Sequence, residues 1–456
     1  MKYLKLLWNL FRLKRNTKKS SQQIRRMQEE KLRNLLWFAW KHSNYYRRTF
    51  EAAGITEETV MTAPLSDFPA MDKEQLLQNF DDLITVSDVT QEEIRRFDAE
   101  EATSRKPYKD KYHVVHSSGS TGKPGYFLYD EKAWNTMLLG IIRGALWDMS
   151  MLDILELLAH GPRIVYIAAT DGRYGGAMAV GDGIDGVGGK QLYLDINLPL
   201  AEWVRQLREF KPNIVIGYPS AMKIMAELME QGQVDVKLVR AVSCGEPLGR
   251  SLRAFLENQF HTPIVNIYGA SESLALGVEV APKDGMILFD DLNVIEVENG
   301  KMYLTCLYNL AQPLIRYQLS DNLTLMQPEA GSPCPFTRAE GLLGRKEDLL
   351  WFEDEDRNRE FLHPLAIEGF CIEGLKDYQF RQAGKDAFEM LAEISDTASE
   401  GAIREEMLSQ MNGILREKGL SYVRFSVRFV KEIRPNPKTG KKPLIVGADE
   451  KGRMAG

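Results

Sequence analysis

Short apolar runs alternate with amphipathic ones between residues 213 and 268. Asn213-Ile-Val-Ile-Gly217 reads as strand, Ser220 to Gln231 as helix, Lys237 to Ser243 as strand, Gly249 to Phe260 as helix and Pro263 to Tyr268 as strand. That βαβαβ order predicts a parallel sheet covered by helices, hence an α/β fold whose ligands lie at the carboxyl ends of the strands. Residues 286–307 carry a different rhythm, in which Met286-Ile-Leu-Phe289, Val294-Ile-Glu-Val297 and Met302-Tyr-Leu-Thr305 predict one antiparallel β unit. Beyond Arg345 a small α+β unit is predicted, helical from Ile403 to Gly419 and extended from Arg424 to Lys431. No apolar run reaches the ~20 residues of a membrane-spanning helix.

The N-terminus stands apart in charge. Lys2, Lys5, Asn9 and Arg12 recur at helical spacing among leucines, Trp8 and Phe11, an amphipathic helix followed by Lys14, Arg15, Lys18 and Lys19. Residues 1–48 hold fourteen Lys and Arg against two Glu, whereas the chain of 456 residues carries a net −6, so the basic excess is local. Two readings of residues 1–20 stand: a peripheral contact with an anionic membrane at the inner face, or a helix docked on the protein's own body or a partner. The acidic body and the lack of a nucleic-acid module argue against nucleic-acid binding. A content of 44% hydrophobic and 27% charged residues suits an enzyme of two or three domains. Cys244, Cys306, Cys334 and Cys371 form no Cys-x-x-Cys pair, and no small-residue cleavage site follows the first apolar stretch, so a reducing, cytoplasmic setting is expected.

The densest chemistry lies in His116-Ser-Ser-Gly-Ser-Thr-Gly-Lys-Pro124, between the β-like runs Tyr112–His116 and Tyr126–Tyr129. A hairpin-like tongue of this composition offers hydroxyls, backbone N–H groups and an ammonium to phosphate. It is not a Walker A loop, which needs glycine where Ser117 stands and a helix where Pro124 follows the lysine. A flexible polar turn is the plainer alternative.

Read with five further segments, the tongue resembles the phosphate-binding loop of the AMP-forming adenylating enzymes, most closely the phenylacetate-coenzyme A ligase and capsule-biosynthesis ligase branch. Ser243-Cys-Gly-Glu-Pro247, Tyr268-Gly-Ala-Ser-Glu272, Pro313-Leu-Ile-Arg-Tyr-Gln-Leu-Ser-Asp321, Gly344-Arg-Lys-Glu-Asp348 and Thr439-Gly-Lys441 follow in the family's order. The resemblance implies a basic amphipathic extension (1–30), a large adenylate-forming domain with parallel sheets and a β subdomain (31–343), a hinge (344–348) and a small mobile α+β lid (349–456). It implies ATP, Mg²⁺ and coenzyme A.

Roles follow residue by residue. Ser117, Ser118, Gly119, Ser120, Thr121, Gly122 and Lys123 would wrap the β- and γ-phosphates, and Glu272 would hold Mg²⁺. Gly245, Glu246 and Pro247 would run beside the adenine, with Tyr268 stacked on it and Gly269 and Ser271 in the same motif. Asp321 would accept bonds from the ribose hydroxyls, and Arg345 would lie near ribose and phosphate. Lys441 would place its ammonium on the bridging oxygen as the acyl-adenylate forms. Plainer readings compete: a solvated loop glutamate for Glu272, a core tyrosine for Tyr268, a surface loop for Lys441 with Lys442 able to share its role. Arg316 reads as structural or as phosphate-facing.

The chain also departs from this branch. Where relatives carry a structural zinc site, it holds Val280-Ala-Pro282, Ile287 and Ser332-Pro-Cys-Pro335, so no zinc is expected. The glycine-bearing segment after the hinge is replaced by Trp351-Phe-Glu-Asp-Glu-Asp-Arg-Asn-Arg359, which reads as an exposed acidic insertion, and Ile164 to Gly176 matches no acid-specific pattern. The expectation is an ATP-dependent, AMP-forming ligase that passes an organic, possibly aryl, acyl group to coenzyme A. The alternatives are transfer to an amine or carrier protein, or a degenerate nucleotide-binding scaffold in polysaccharide biosynthesis.

Overall fold

The computed structural model describes residues 2–100, 106–117, 124–159, 161–168, 178, 179, 189–246, 248–319, 321, 323–327, 334–340, 350–353, 359–362, 367, 370, 372, 374–395, 399–433 and 444–446. The flanks of the tongue are strands β1 (Tyr112–His116) and β2 (Tyr126–Asp130), paired antiparallel with His116 opposite Tyr126. A sheet of nine strands among the described residues forms the centre. Its parallel half comprises β3 (Arg163–Ala168), β4 (Lys190–Asp195), β5 (Ile214–Gly217), β6 (Arg240–Cys244) and β7 (Ile264–Ala270), in the spatial order β4-β3-β5-β6-β7. Buried residues such as Val165, Ile167, Val215, Ala241 and Val265 make these strands nearly continuous apolar runs, as sheets covered on both faces require.

β8 (Ser273–Glu279) turns back antiparallel on β7, and β9 (Met286–Leu288) on β8. β10 (Asn293–Glu298), β11 (Lys301–Cys306) and β12 (Tyr317–Leu319) form a separate antiparallel sheet. β13 (Thr324–Leu325) and β14 (Arg338–Glu340) return to extend the large sheet beyond β9. The single antiparallel unit expected over 286–307 is thus split. A tight turn, Leu292 N–H to Phe289 O at 2.8 Å, ends β9 and sends the chain into the second sheet.

The helix Glu131–Ala145 lies very close to the sheet. A Cβ on Gly140 would stand 2.8 Å from Ala275 Cβ, which cannot swing aside, and one on Gly144 2.7 Å from Ile267 Cδ1, which would have to shift, so the two glycines permit this close approach. Arg143 of the same helix is fully buried and pairs with Asp291 at 2.6 and 2.9 Å. Burial alone would raise the Asp291 carboxyl, but the Arg143 charge and hydrogen bonds hold it below the ordinary value.

That ion pair anchors the N-terminal region. Asn16 Nδ2 donates to Asp291 Oδ2 at 2.7 Å, Lys31 Nζ to Asp291 O at 2.6 Å, and Lys14 Nζ to Trp147 O at 3.2 Å. Leu10 is buried. The end of the helix Lys2–Lys14 therefore docks on the protein's own body, while Trp8 is 60% exposed with Arg12 over its ring at 5.3 Å. The next helix, Ser21–His42, opens with a Ser20–Gln23 capping box and runs unbroken across residue 30. No helix among the described residues is long and apolar enough to cross a membrane.

The C-terminal body pairs β15 (Leu350–Glu353) with β16 (Arg359–Leu362), then β17 (Leu375–Gly384), β18 (Ala387–Ile394), β19 (Arg424–Val430) and β20 (Ile445–Val446) in the order β19-β18-β17-β20. The helix Glu400–Glu417 lays Ile403, Met407, Met411 and Leu415, four residues apart, against the core of this sheet. The segment expected to be an exposed acidic insertion begins and ends as strand, with Phe352 only 3% exposed, because Leu350 and Phe352 face the small body's core. Phe361 points the other way, edge-on to Trp203 of the large body at 5.7 Å.

Candidate active site

The parallel strands end together, and two of the expected segments, residues 243–246 and 268–272, lie at their carboxyl ends. β6 delivers Gly245 and Glu246, while β7 delivers Tyr268, Gly269, Ser271 and Glu272. Cys244 pairs with Ile267, so Gly245 leaves the sheet beside Tyr268. Gly245 has φ +78°, and a Cβ there would lie 2.6 Å from the Tyr218 ring, so glycine is demanded both by conformation and by the ring beneath it. At Gly269 a Cβ would meet Leu274 O at 2.5 Å, where a register shift in the β7–β8 pairing turns the strand.

Tyr268 is 7% exposed, and its hydroxyl donates to Asp321 Oδ2 at 2.9 Å. The two residues sequence reading gave to base and ribose are therefore directly linked. The Glu272 carboxyl is pushed up to about 7, chiefly by burial and further by the Asp321 charge. Its own backbone N–H, the Lys73 charge and a hydrogen bond from Tyr317 oppose that rise. Tyr129 of β2 donates to both Ser271 O and Glu272 O at 2.9 Å, and Ser271 Oγ donates to His116 O at 3.2 Å. The tongue's neck and the Glu272 turn are thus stitched together.

At that neck, Ser117 N–H donates to Gly125 O at 2.9 Å and Ser117 Oγ accepts from Gly125 N–H at 2.8 Å. His116 Nδ1 lies 2.9 Å from Asp98 Oδ2. The Glu246 side chain is engaged at the helix Pro219–Glu230, where its two oxygens accept from Ser220 N–H at 3.1 Å and Ser220 Oγ at 2.9 Å. Ser118, Gly119, Ser120, Thr121, Gly122, Lys123, Pro247, Arg345, the hinge 344–348 and Lys441 lie outside the described residues.

Arg316 resolves toward structure. It has φ +48° and is held by Glu296 at 3.2 Å, Glu298 at 2.7 Å, Ser66 O at 2.9 Å and Phe68 O at 3.0 Å. Tyr317, Lys73, Tyr129 and Tyr218 are neighbours that sequence reasoning missed. For Tyr317 a signal existed, since it sits inside the segment ending at Asp321.

No group of three or more His, Cys, Asp or Glu among the described residues is placed to hold a metal ion. Burial pushes the Cys244 thiol up to about 12 and that of Cys306 to about 11, which disfavours both as nucleophiles. Glu272 stands near Asp321 with like charge, which suits a hard cation that arrives with phosphate oxygens completing its shell.

An α/β body with these segments at its strand ends defines an adenylate-forming enzyme, and comparison agrees: the AMP-binding enzyme family matches residues 185–289. Over that segment the chain is similar to the AMP-forming adenylating enzymes. Among them the likeness is to the phenylacetate-coenzyme A ligase branch, as with that ligase of Aromatoleum evansii, 26% identical over 358 residues and 73% of each chain. The indoleacetate–lysine synthetase of Pseudomonas savastanoi is 30% identical over 135 residues, 29% of this chain and 34% of that protein. In fold, a 2-hydroxyisobutyryl-CoA ligase solved with 2-HIB-AMP and CoA superposes with a TM-score of 0.59 at 18% identity, over 95% of this chain and 91% of that one.

Proposed function

We propose that the protein is an ATP-dependent, AMP-forming ligase that adenylates an organic carboxylate, aryl acids being the first candidates, and transfers the acyl group to coenzyme A. The observation that carries this reading is the meeting of Tyr268, Glu272 and Asp321 at the carboxyl edge of a parallel sheet in a chain similar to the AMP-forming adenylating enzymes. In the first half-reaction a carboxylate oxygen attacks the α-phosphorus of ATP, an O–P bond forms and pyrophosphate leaves. In the second, the thiol sulfur attacks the acyl carbon, the bond to AMP breaks and the thiol proton is released.

Mg²⁺, when bound, neutralises phosphate charge. Glu272 is the residue that would hold it, in a turn fixed by Tyr129. Asp321 keeps one carboxylate oxygen for ribose while Tyr268 occupies the other. The tongue 117–123 would enclose the phosphates, the backbone of 245–247 would flank the base, and Arg345 and Lys441 would complete the site around the transferring centre. These roles rest on the motif match.

Acid-dependent ATP–pyrophosphate exchange over a panel of aryl, arylacetic and short aliphatic acids tests the reading. Exchange with at least one acid is expected, and none across the panel would favour a nucleotide-binding scaffold. The partial likeness to an acid–lysine synthetase supports a second acceptor class, amines, which the same exchange followed by competition between coenzyme A and lysine distinguishes. ATP and coenzyme A are cytoplasmic pools, which supports a cytoplasmic protein. For residues 1–20 we adopt docking on the chain's own body, on the Asn16–Asp291 and Lys14 contacts.

A further inference from the structure

The hairpin that carries the phosphate tongue is a sheet of two strands, β1 and β2, and two strands alone are marginally stable in water. We propose that Gln312 is a positioning residue for this tongue: its side-chain amide stands in for a third strand along β2 and fixes the strand on which the tongue returns, so that its donors meet the terminal phosphates of a nucleoside triphosphate. This rests on the reading of residues 117–123 given under the proposed function.

Alternate residues of an antiparallel strand turn both backbone groups away from the partner. In β2 these are Tyr126 and Leu128, and no further strand among the described residues pairs there. Gln312 Oε1 accepts from Leu128 N–H at 2.6 Å and Gln312 Nε2 donates to Tyr126 O at 3.1 Å, while Asn309 Nδ2 donates to Leu128 O at 2.9 Å. Two side chains thus satisfy three backbone groups that β1 leaves open. Both are buried, Gln312 completely. The backbone around Gln312 is pinned as well. Its N–H donates to Asn309 Oδ1 at 3.4 Å, Ala311 O accepts from Thr85 N–H at 3.0 Å, and Pro313 O accepts from the Tyr46 hydroxyl at 2.9 Å.

Gln312 immediately precedes the segment Pro313–Asp321, whose last residue accepts from Tyr268. At the other strand and the far end of β2, Ser271 Oγ donates to His116 O and the Tyr129 hydroxyl to Glu272 O. The root of the tongue is therefore tied to the ribose-side segment by Gln312 and to the Glu272 turn by Ser271 and Tyr129. The gain is preorganisation, because a strand fixed on folding has already lost its conformational freedom when the nucleotide arrives. Without Gln312, Leu128 N–H and Tyr126 O either stay buried and unpaired or draw the strand toward water, and phosphate binding then has to restore it.

The test is calorimetric binding of α,β-methylene-ATP with Mg²⁺ and, separately, of AMP, to wild type, Gln312→Met and Lys123→Ala, alongside thermal unfolding and hydrogen exchange of the β2 amides. Methionine keeps the length of the side chain and removes both bonds. In Gln312→Met the affinity for α,β-methylene-ATP should fall by roughly tenfold, the effect of one or two hydrogen bonds, and the Leu128 amide should exchange faster. AMP lacks the phosphates that the tongue would wrap, so its affinity should stay at the wild-type value. Equal losses for both ligands would make Gln312 a part of the fold alone, against the proposal. Unchanged α,β-methylene-ATP binding in Gln312→Met beside a selective loss in Lys123→Ala would overturn it while leaving the tongue reading intact. No selective loss in either variant would remove both. If Gln312→Met does not fold, Asn309→Ala, which removes the bond to Leu128 O and leaves the Gln312 side chain in place, should weaken α,β-methylene-ATP by a smaller factor with AMP unchanged, and an unchanged ratio of the two affinities there counts against the proposal.

Discussion

Replacing Lys418 by methionine should weaken the joint between the C-terminal body and the large sheet by about 3–5 kcal/mol, the usual cost of removing one partner of a buried ion pair. The Lys418 side chain is fully buried; its Nζ donates to Leu198 O at 2.7 Å, lies 3.1 Å from Glu360 Oε1 and sits 3.9 Å from the centre of the Phe361 ring. Glu360 reaches across the same joint, accepting from Leu200 N–H at 2.8 Å in the first turn of the helix Leu200–Phe210. Methionine fills a similar path, so cavity formation adds little. The cost comes from a carboxylate left buried with backbone N–H groups alone, and from Leu198 O left without its donor. Adding Glu360→Gln removes the stranded charge and should recover more than half of the loss.

A pH signature accompanies it. Burial pushes Lys418 down to about 8, against the Glu360 charge that raises it. Between about pH 8 and the ordinary lysine value near 10.5, the unfolded chain keeps a proton that the folded one has released, so this group's contribution to stability rises with pH through that window and is flat below it. Urea unfolding followed by tryptophan fluorescence is the assay, because Trp203 and Trp351 both pack on Phe361 at 5.7 Å and report on the joint. The difference between wild type and Lys418→Met should widen from pH 8 to 10. A single variant within about 1 kcal/mol of wild type, or a double variant as damaged as the single, would refute the reasoning.

Gly245→Ala should lower stability by more than about 1 kcal/mol, from a left-handed backbone now carrying a Cβ and from the Tyr218 ring 2.6 Å away, and thermal unfolding measures it. Deleting residues 2–20 should lower the thermal midpoint, since it strips Asn16 from Asp291, and full-length protein should not sediment with anionic vesicles; sedimentation abolished by a deletion that leaves the midpoint unchanged would restore the membrane reading. Lys441→Ala should cripple pyrophosphate exchange while leaving nucleotide affinity near wild type, because the motif assigns this lysine to the transition state. Equal losses of rate and affinity would assign it to ground-state binding instead.

The parallel core was legible because strands buried on both faces are apolar throughout and their helices keep a 3.6 period. Partnership was less so. Met286–Leu288 has the same apolar look as the strands of the second sheet, and only the turn at Phe289–Leu292 assigns it to the first. Tyr317 bridges Met71, a contact between segments far apart in the chain that no local pattern encodes. Glu246 sits in a segment that the resemblance assigns to the base, yet its side chain caps a helix whose Ser220 comes from an earlier strand–helix turn. Lys418 falls inside the helix expected over 403–419 and is instead the C-cap of the helix Glu400–Glu417, and its burial depends on how two bodies meet.

Product analysis by mass spectrometry of the purified protein with ATP, Mg²⁺, coenzyme A and an arylacetic acid panel tests the central claim most directly. An acyl-coenzyme A thioester, AMP and pyrophosphate should form in equal amounts, and omission of the acid, of ATP or of coenzyme A should abolish the thioester. ADP in place of AMP, or acid-dependent AMP release with no thioester at saturating coenzyme A, would contradict it.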